Sequence, residues 1–163
     1  MELLKLKPEP LTQQAFAKFG DVIEVSGEPV MINEGTTERY HRLGDVVVGE
    51  GLAIMNLFRA QPRTLPMTIT MMERHPLGSQ SFLPWNNKPY LVLVCEGEKE
   101  PDPTTLKLFL AQGQGVNYQV NCWHHPLLAL DEVSNFWGVD RAGPGNNLEE
   151  MDFSKSLKIE ISF

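Results

Sequence analysis

The chain has 163 residues, of which 42% are hydrophobic and 21% are charged, a composition typical of soluble globular proteins. This length predicts a single domain over residues 1–163, because it suffices for one well-buried core and is short for two. The formal net charge is −7 and no cluster of Lys and Arg occurs, which argues against nucleic acid as a partner.

The N-terminal segment does not have the pattern of a signal peptide. Pro8 and Pro10 interrupt it before an apolar run of sufficient length develops, and no later run is long enough to cross a bilayer. We therefore expect a cytoplasmic protein without a membrane partner. The two cysteines, Cys95 and Cys122, fit reduced thiols at least as well as a disulfide.

One short helix is predicted near the N-terminus. Within residues 11–20, Thr12 is the expected N-cap, Phe16 and Phe19 share one face, and Gly20 ends the helix. After this helix, short apolar or alternating runs are separated by glycine, proline and asparagine, as in an antiparallel sheet.

Two kinds of strand follow. Residues 157–163 alternate between apolar and polar side chains, which predicts one buried face and one solvated face. Residues 90–95 are apolar throughout, which predicts a strand covered on both faces. A sheet with both kinds of strand closes most easily as a barrel or a double-layered jelly roll with a central cavity. The predicted fold is therefore all-β, with a short N-terminal helix.

The first candidate site segment follows the predicted strand at residues 68–72. Because side chains alternate along a strand, Ile69, Met71, Glu73 and His75 are expected on one face and Arg74 on the other. A charged group at the end of an apolar stripe is costly without partners, so Glu73 and His75 are expected at the mouth of the cavity. The alternative is an ordinary solvated strand end.

The second candidate segment covers residues 113–127, GQGVNYQVNCWHHPL, and contains two of the four histidines. In an extended chain His124 and His125 point in opposite directions, so only one of them is expected to reach the site. Tyr118 can donate a hydrogen bond there, and Trp123 is expected to be a wall of the pocket or a core residue.

The spacing of these residues resembles the metal-binding motifs of the cupin superfamily, which implies a cupin-type β-barrel. At the superfamily's ligand positions this chain has Glu73, His75 and Gln80, followed by His124 eleven positions after Gly113. Glutamine is a weak neutral donor, and the set lacks the three imidazoles that suit zinc, nickel or iron best. A divalent metal held by these four side chains is nevertheless a candidate cofactor, because such a set can still bind a divalent cation.

Taken together, the motifs resemble the ureidoglycolate lyase family more closely. The matching segments, in chain order, are ERYH (38–41), RAQP (59–62), ERHPLGSQ (73–80), GVNY (115–118), WHHPL (123–127) and DR (140–141). The resemblance implies a carbon–nitrogen lyase of allantoin and purine breakdown that cleaves ureidoglycolate to glyoxylate and urea. It also implies nickel as the metal and a homodimer as the assembly.

Cleavage of ureidoglycolate consumes no water. The substrate carries a carboxylate, a hydroxyl and a urea nitrogen on one carbon, so a base must take the hydroxyl proton and an acid must protonate the leaving nitrogen. For proton transfer the first candidate is His124, followed by His75 and Glu73, with Tyr118 as a hydrogen-bond donor.

The substrate carboxylate requires a guanidinium, whose planar fork forms two parallel charge-assisted bonds. The candidates are Arg59, Arg39 and Arg141, with Arg59 first because it ends an apolar strand, whereas side-chain alternation disfavours Arg74. Further expected substrate-binding residues are Tyr40, His41, Gln80 and Trp123. Of these, Tyr40 and His41 would enter the site within one chain or across a dimer interface.

Two other functions are compatible with the sequence. One is a metal-dependent cupin isomerase or oxygenase, which the missing His-x-His pair argues against. The other is a non-catalytic cupin that senses a small organic acid such as glyoxylate.

Overall fold

The computed structural model describes residues 2–163. Its helical segments are α1 (Gln13–Phe16) and a 3-10 turn at Pro103–Thr105. The strands, in chain order, are β1 (Glu2–Leu6), β2 (Glu9–Pro10), β3 (Gly20–Ile23), β4 (Val30–Ile32), β5 (Thr37–Arg39), β6 (Leu52–Ala60), β7 (Met67–Ile69), β8 (Met71–Arg74), β9 (Gln80–Pro84), β10 (Pro89–Cys95), β11 (Lys107–Gln112), β12 (Gly115–Tyr118), β13 (Trp123–His124), β14 (Leu128–Ala129), β15 (Ser134–Ala142), β16 (Glu149–Asp152) and β17 (Leu157–Ile161). The prediction of an all-β fold is confirmed.

These strands form three main sheets. The front sheet has the order β3-β12-β9-β15-β6, and the back sheet has the order β16-β8-β13-β10-β11-β2, with β14 also paired to β10. A smaller cover sheet has the order β1-β17-β7, and β4 pairs with β5 in a separate hairpin. Most neighbouring strands are antiparallel, but β1 with β17 and β11 with β2 are parallel.

An inner core lies between the front and back sheets. Helix α1 closes it with Phe16, which is fully buried and whose ring lies 5.8 Å from that of Phe109. Thr12 is the N-cap as predicted, because its side chain accepts a hydrogen bond from the backbone N–H of Ala15. The helix ends at Phe16, earlier than expected, and Gly20 already belongs to β3. The buried strand residues of this core are Val22, Phe82, Tyr90, Val92, Val94, Phe109, Ala111, Val116, Tyr118 and Phe136.

An outer core lies between the back sheet and the cover sheet. Successive residues of β10 alternate between the two cores, so every residue from Tyr90 to Cys95 is buried. This arrangement confirms the prediction of a strand covered on both faces. In β17 the alternation is also as predicted, with Leu157, Ile159 and Ile161 in the outer core.

A break between β7 and β8 changes which residues share a face. The two strands are separated by Thr70, which belongs to neither. Ile69 consequently packs in the outer core together with Met72, whereas Glu73 faces the inner side of the back sheet. The expectation that Ile69 shares a face with Glu73 is therefore wrong, because strict alternation does not continue through an interruption of the strand.

Gly113 connects β11 to β12 by a tight turn. Its φ of 73° lies in the left-handed region that glycine adopts without steric cost. The turn leads β12 away from the back sheet and into the front sheet. Among the described residues, no helix is both long and apolar enough to cross a membrane.

Replacing Ile159 with alanine tests the three-layered arrangement. Ile159 is fully buried between the cover and back sheets. Loss of its side chain is expected to lower the free energy of unfolding by about 2–5 kcal/mol, measured by urea denaturation. Lys158→Ala, at the adjacent exposed position, is the control and is expected to change it by less than about 0.5 kcal/mol. Equal effects of the two substitutions would contradict the assigned outer core.

Candidate active site

Three side chains with metal-binding atoms meet on the inner side of the back sheet. They are Glu73 on β8, His75 just after it, and His124 on β13, and their ligand atoms all lie within 4.8 Å of one another. The pairing of β13 with β8 sets His124 directly opposite Glu73. The structure therefore brings together two segments that are far apart in the chain, as the spacing predicts.

Backbone carbonyls orient both imidazoles. Nδ1 of His75 lies 2.8 Å from the carbonyl oxygen of Asn147, and Nδ1 of His124 lies 2.9 Å from that of Cys122. Because a carbonyl oxygen only accepts, each Nδ1 carries a proton, and Nε2 is the ring nitrogen that faces the cluster. Both Nε2 atoms are buried and have no hydrogen-bond partner. This arrangement is common for imidazoles that ligate metals.

Glu73 supplies the negative charge of this cluster. Its Oε1 lies 3.5 Å from Nε2 of His124, and its side chain retains 18% exposure against 1% for His124. Burial raises the pKa of Glu73, but the neighbouring imidazoles, His124 above all, lower it more, so that the pKa lies below its ordinary value. Glu73 is therefore an ionised carboxylate at neutral pH.

Tyr118 and His125 flank the cluster in different ways. The Tyr118 ring stacks on the His124 ring with centroids 4.2 Å apart and an interplanar angle of 12°. Burial raises the pKa of Tyr118 well above its ordinary value, so its hydroxyl stays protonated. Burial lowers the pKa of His125, whose Nδ1 lies 2.9 Å from the carbonyl oxygen of Pro126. His125 is thus a neutral imidazole outside the three-residue cluster.

Gln80, at the fourth superfamily position, also faces the inside of the barrel. It is 8% exposed, and its Oε1 is buried without a hydrogen-bond partner. Its Nε2 donates toward Oδ2 of Asp140 at 3.5 Å, and Nδ2 of Asn56 donates to Oδ1 of the same carboxylate at 2.9 Å. Gln80 is therefore anchored at its amide nitrogen, and its oxygen remains available.

The donor set fits a divalent cation. The three-residue cluster offers two buried, unpartnered imidazole Nε2 atoms and an ionised carboxylate, and the amide oxygen of Gln80 is likewise buried without a partner. Buried polar atoms without partners are rare in folded proteins and mark a site for an ion, a water or a ligand. Mixed nitrogen and oxygen donors of this kind suit transition metals such as zinc, nickel or manganese.

A cavity of ≈ 480 Å³ reaches this cluster from one end of the barrel. Glu73 and Gln80 line it, and Arg59 and Arg63 lie among its other lining residues. Nε of Arg59 donates to Oδ1 of Asn135 at 3.0 Å, which leaves the other guanidinium nitrogens available. The cavity thus has two arginine residues and an ionised carboxylate among its lining residues.

Five of the sequence-predicted site residues lie away from the cluster and do not line its cavity. Arg141 lies on the outer side of the front sheet, where Nε donates to the carbonyl of Val48 and Nη2 to that of Pro144. Trp123 is buried in the outer core, with the Arg74 guanidinium 4.5 Å from its ring centroid. The remaining three are Arg39, Tyr40 and His41, at and after the end of β5, where Arg39 and His41 are exposed and the Tyr40 hydroxyl donates to Glu38.

Two polar residues near the cluster were not predicted as site residues. Arg63 follows Arg59 at a distance of four residues across Pro62, and its backbone N–H donates to the carbonyl of Ala129. A second arginine directly after Pro62, four residues beyond Arg59, is a weak signal in the sequence. Asp140 belongs to a recognised motif, but nothing in its neighbours indicates contact with Gln80.

The fold is similar to a solved structure of a dTDP sugar isomerase from Desulfovibrio desulfuricans. The TM-score is 0.51, with 14% sequence identity over 83% of this chain and 85% of that chain. At this identity the similarity concerns the fold alone, and it supports the cupin-type barrel.

Sequence comparison identifies the family. A family model described as ureidoglycolate lyase matches residues 3–160. A ureidoglycolate lyase from Brucella anthropi is 53% identical over 94% of this chain and 93% of its own length. A ureidoglycolate lyase from Burkholderia mallei is 51% identical over 93% of this chain and 91% of its own length. Ureidoglycolate lyase 1 from Rhizobium meliloti is 52% identical over 94% of this chain and 92% of its own length. This chain therefore belongs to the ureidoglycolate lyase family.

Proposed function

We propose that this chain is a carbon–nitrogen lyase that cleaves ureidoglycolate to glyoxylate and urea. The supporting observation is one cavity that holds the ionised carboxylate of Glu73 together with Arg59 and Arg63. The reaction needs an anchor for the substrate carboxylate and a proton carrier beside the hemiaminal carbon, and this cavity offers both. The names of the relatives support the same activity.

Glu73 is the proton carrier that the geometry supports best. It lines the cavity, whereas the side chain of His124 is almost fully buried behind it. The substrate hydroxyl and the leaving nitrogen are bonded to the same carbon, so one carboxylate can accept the hydroxyl proton and return it to the nitrogen. The hydroxyl becomes the carbonyl of glyoxylate, the carbon–nitrogen bond breaks, and urea leaves with the transferred proton.

His124, His75 and Tyr118 support this transfer in the proposal. The imidazole of His124 lies against the Glu73 carboxylate and is itself held by the stacked Tyr118 ring. Because Tyr118 keeps its proton, its hydroxyl is a donor and not a base. His124 remains the alternative proton carrier, since its Nε2 faces Glu73 at 3.5 Å and makes no other hydrogen bond.

A divalent cation, nickel by family resemblance, is proposed as the cofactor. His75, His124 and Gln80 would hold it through their unpartnered buried atoms, and Glu73 would add the carboxylate. A bound cation of this kind acts as a Lewis acid that eases deprotonation of a hydroxyl. Gln80, being neutral, would leave the cation more of its positive charge than a glutamate would.

Arg59 and Arg63 are proposed to bind the substrate carboxylate. Both arginines are lining residues of the same cavity; the Arg59 side chain pairs with Asn135 on the outward side of β6 and β15 and would reach the substrate around the end of β6. A guanidinium bound to a carboxylate fixes the orientation of the molecule as well as its affinity. Glyoxylate retains the carboxylate, so the same residues would contact the product.

We also propose a cytoplasmic homodimer. The outer face of the front sheet exposes Met55, Leu57, Trp85 and Trp137, with exposures of 83%, 45%, 50% and 52%. The two indole rings lie 5.3 Å apart and together leave roughly 200 Å² of aromatic surface in solvent. A stable interface buries about 800 Å² on each partner, which is more than the two indole rings expose. These residues would therefore form the apolar centre of a larger interface.

Charge and topology support a second copy as the occupant of this face. The other outward positions of β6 and β15 carry no carboxylate, so two copies of a chain of net charge −7 can meet there without opposing charges; these positions are Ala53, Arg59, Asn135, Val139 and Arg141. Strand β6 pairs only with β15 in the described part of the chain, which leaves one edge free. Arg39, Tyr40 and His41 do not reach the cavity within one chain, so a substrate-binding role for them requires the partner subunit.

Glu73→Gln tests the proton carrier. The amide keeps the shape of the side chain and an oxygen donor but cannot accept a proton. The expected result is a fall in kcat of about 10²–10⁴-fold with a nearly unchanged KM, because general acid–base catalysis contributes by this factor. Urea, ammonia and glyoxylate are measured during incubation with ureidoglycolate, and urea without ammonia identifies the lyase.

Glu150→Gln is the matched control for that variant. Glu150 lies opposite Glu73 on β16 and is exposed, so its replacement is expected to leave turnover unchanged. Near-normal turnover of Glu73→Gln would move the proton-accepting role to His124. Release of ammonia by the unmodified chain would instead indicate hydrolysis and contradict the lyase.

Arg59→Lys and Arg63→Lys test the carboxylate anchor. Lysine keeps the charge but loses the fork, so each variant is expected to raise KM by about 10-fold or more with little change in kcat. Arg42→Lys is the control, since Arg42 is exposed and paired with Asp45. An unchanged KM in both variants would remove these two arginines from the substrate site.

Trp137→Glu tests the dimer face. Sedimentation velocity of the unmodified chain is expected to give twice the mass of one chain, and the charged variant is expected to give a monomer. Leu3→Glu, at an exposed position of the cover sheet, is the control and should remain a dimer. A monomeric unmodified chain, or a dimer that withstands Trp137→Glu together with Met55→Glu, would contradict this face.

A further inference from the structure

The amide of Gln80 has only one orientation that satisfies its neighbours. A carboxylate accepts hydrogen bonds and cannot donate them, so the amide group facing Asp140 must be the NH₂ group. Gln80 Nε2 accordingly lies 3.5 Å from Oδ2 of Asp140. The amide oxygen must then point away from Asp140, and this oxygen is the buried atom without a partner.

Asn56 holds Asp140 in place from the neighbouring strand. Its Nδ2 donates to Oδ1 of Asp140 at 2.9 Å, between β6 and β15. Each carboxylate oxygen of Asp140 therefore faces an amide NH₂ group, and Asp140 takes part in no ion pair with any residue that the structure describes. A half-buried carboxylate is costly without a nearby positive charge.

Gln80 and the three-residue cluster lie on neighbouring positions. Gln80 pairs with Tyr118 across β9 and β12, and the Tyr118 ring stacks on His124. Gln80 also lines the same cavity as Glu73. Asp140 thus faces the cluster through Gln80, and a cation held at the cluster would be a positive charge for it to balance.

We propose that Asp140 is a positioning residue, which presents the Gln80 oxygen to the cation site and supplies that site's second negative charge from behind the glutamine. Glu73 and Asp140 together carry two negative charges, which match a divalent cation. The negative charge that an acidic ligand would bring to the metal lies on Asp140 instead. The neutral amide of Gln80 stands between this charge and the metal. This inference rests on the cation site proposed above and assigns a role to a residue outside the ligand set.

Substitution of Asp140 separates this role from a structural one. In Asp140→Asn the shape is kept, but the second charge is lost and the Gln80 amide can turn over. Nickel and manganese are titrated separately into the chelator-treated full chain by isothermal titration calorimetry. The expected result is a 10–100-fold weaker affinity, the usual effect of removing a residue that supports a ligand. Asp131→Asn, at an exposed turn, is the control with the same chemical change and should bind as the unmodified chain does.

A double variant shows whether the charge itself is what matters. Gln80→Glu combined with Asp140→Asn keeps the net charge and returns the carboxylate to the ligand position. Its cation affinity is expected to recover to that of the unmodified chain or better. Near-ultraviolet circular dichroism checks that each variant is folded.

The results distinguish this inference from the proposed activity. Unchanged cation affinity in Asp140→Asn, or no recovery in the double variant, overturns the role of Asp140 and leaves lyase activity untouched. Urea release by a chain that binds neither cation would also overturn it while supporting the lyase. A chain that binds the cation as described but releases no urea supports the inference and contradicts the proposed function.

Discussion

The pairing of β13 with β8 is the contact on which the candidate site depends. Strand β13 has only two residues, Trp123 and His124, and lies between β8 and β10 in the back sheet. Because side chains alternate, Trp123 enters the outer core while His124 enters the barrel. Arg74 covers the Trp123 ring, and Nε1 of Trp123 donates to the carbonyl of Gly97. The packing of one residue thus fixes the position of the other.

The inside of the front sheet is divided into an apolar end and a polar end. Toward one end its inner positions carry aromatic side chains, and toward the other they carry Asn56, Gln80 and Asp140. Burial of polar groups is unfavourable unless they find partners. Asn56, Gln80 and Asp140 satisfy one another on one side and leave the Gln80 oxygen unpaired on the other. The polar end of the barrel is therefore organised toward a bound group.

Much of the fold could be predicted because hydrophobic patterning reports burial directly. The uniformly apolar residues 90–95 indicated two covered faces, and the alternation in 157–161 indicated one. The face of Ile69 could not be predicted, because the interruption at Thr70 depends on how β7 and β8 join different sheets. Propensity and periodicity are local, whereas the assignment of strands to sheets is decided by tertiary packing.

The site was predictable only in part, for a related reason. Spacing along the chain placed Glu73, His75 and His124 together, since all three lie at or beside strands of one sheet. Asp140 contacts Gln80 only because of how β15 pairs with β9, and Arg63 lines the cavity from the segment between β6 and β7. Arg141 looks equivalent to any other candidate in the sequence, yet its hydrogen bonds hold the backbone at Val48 and Pro144.

The three tryptophans are distributed so that they report on different layers of the molecule. Trp85 and Trp137 are half exposed on the front sheet, whereas Trp123 is 2% exposed between the back and cover sheets. Their fluorescence should therefore resolve into a red-shifted pair that is readily quenched by acrylamide and a blue-shifted, protected component. Because Trp123 immediately precedes His124, the protected component is an intrinsic optical reporter of the wall behind the cluster.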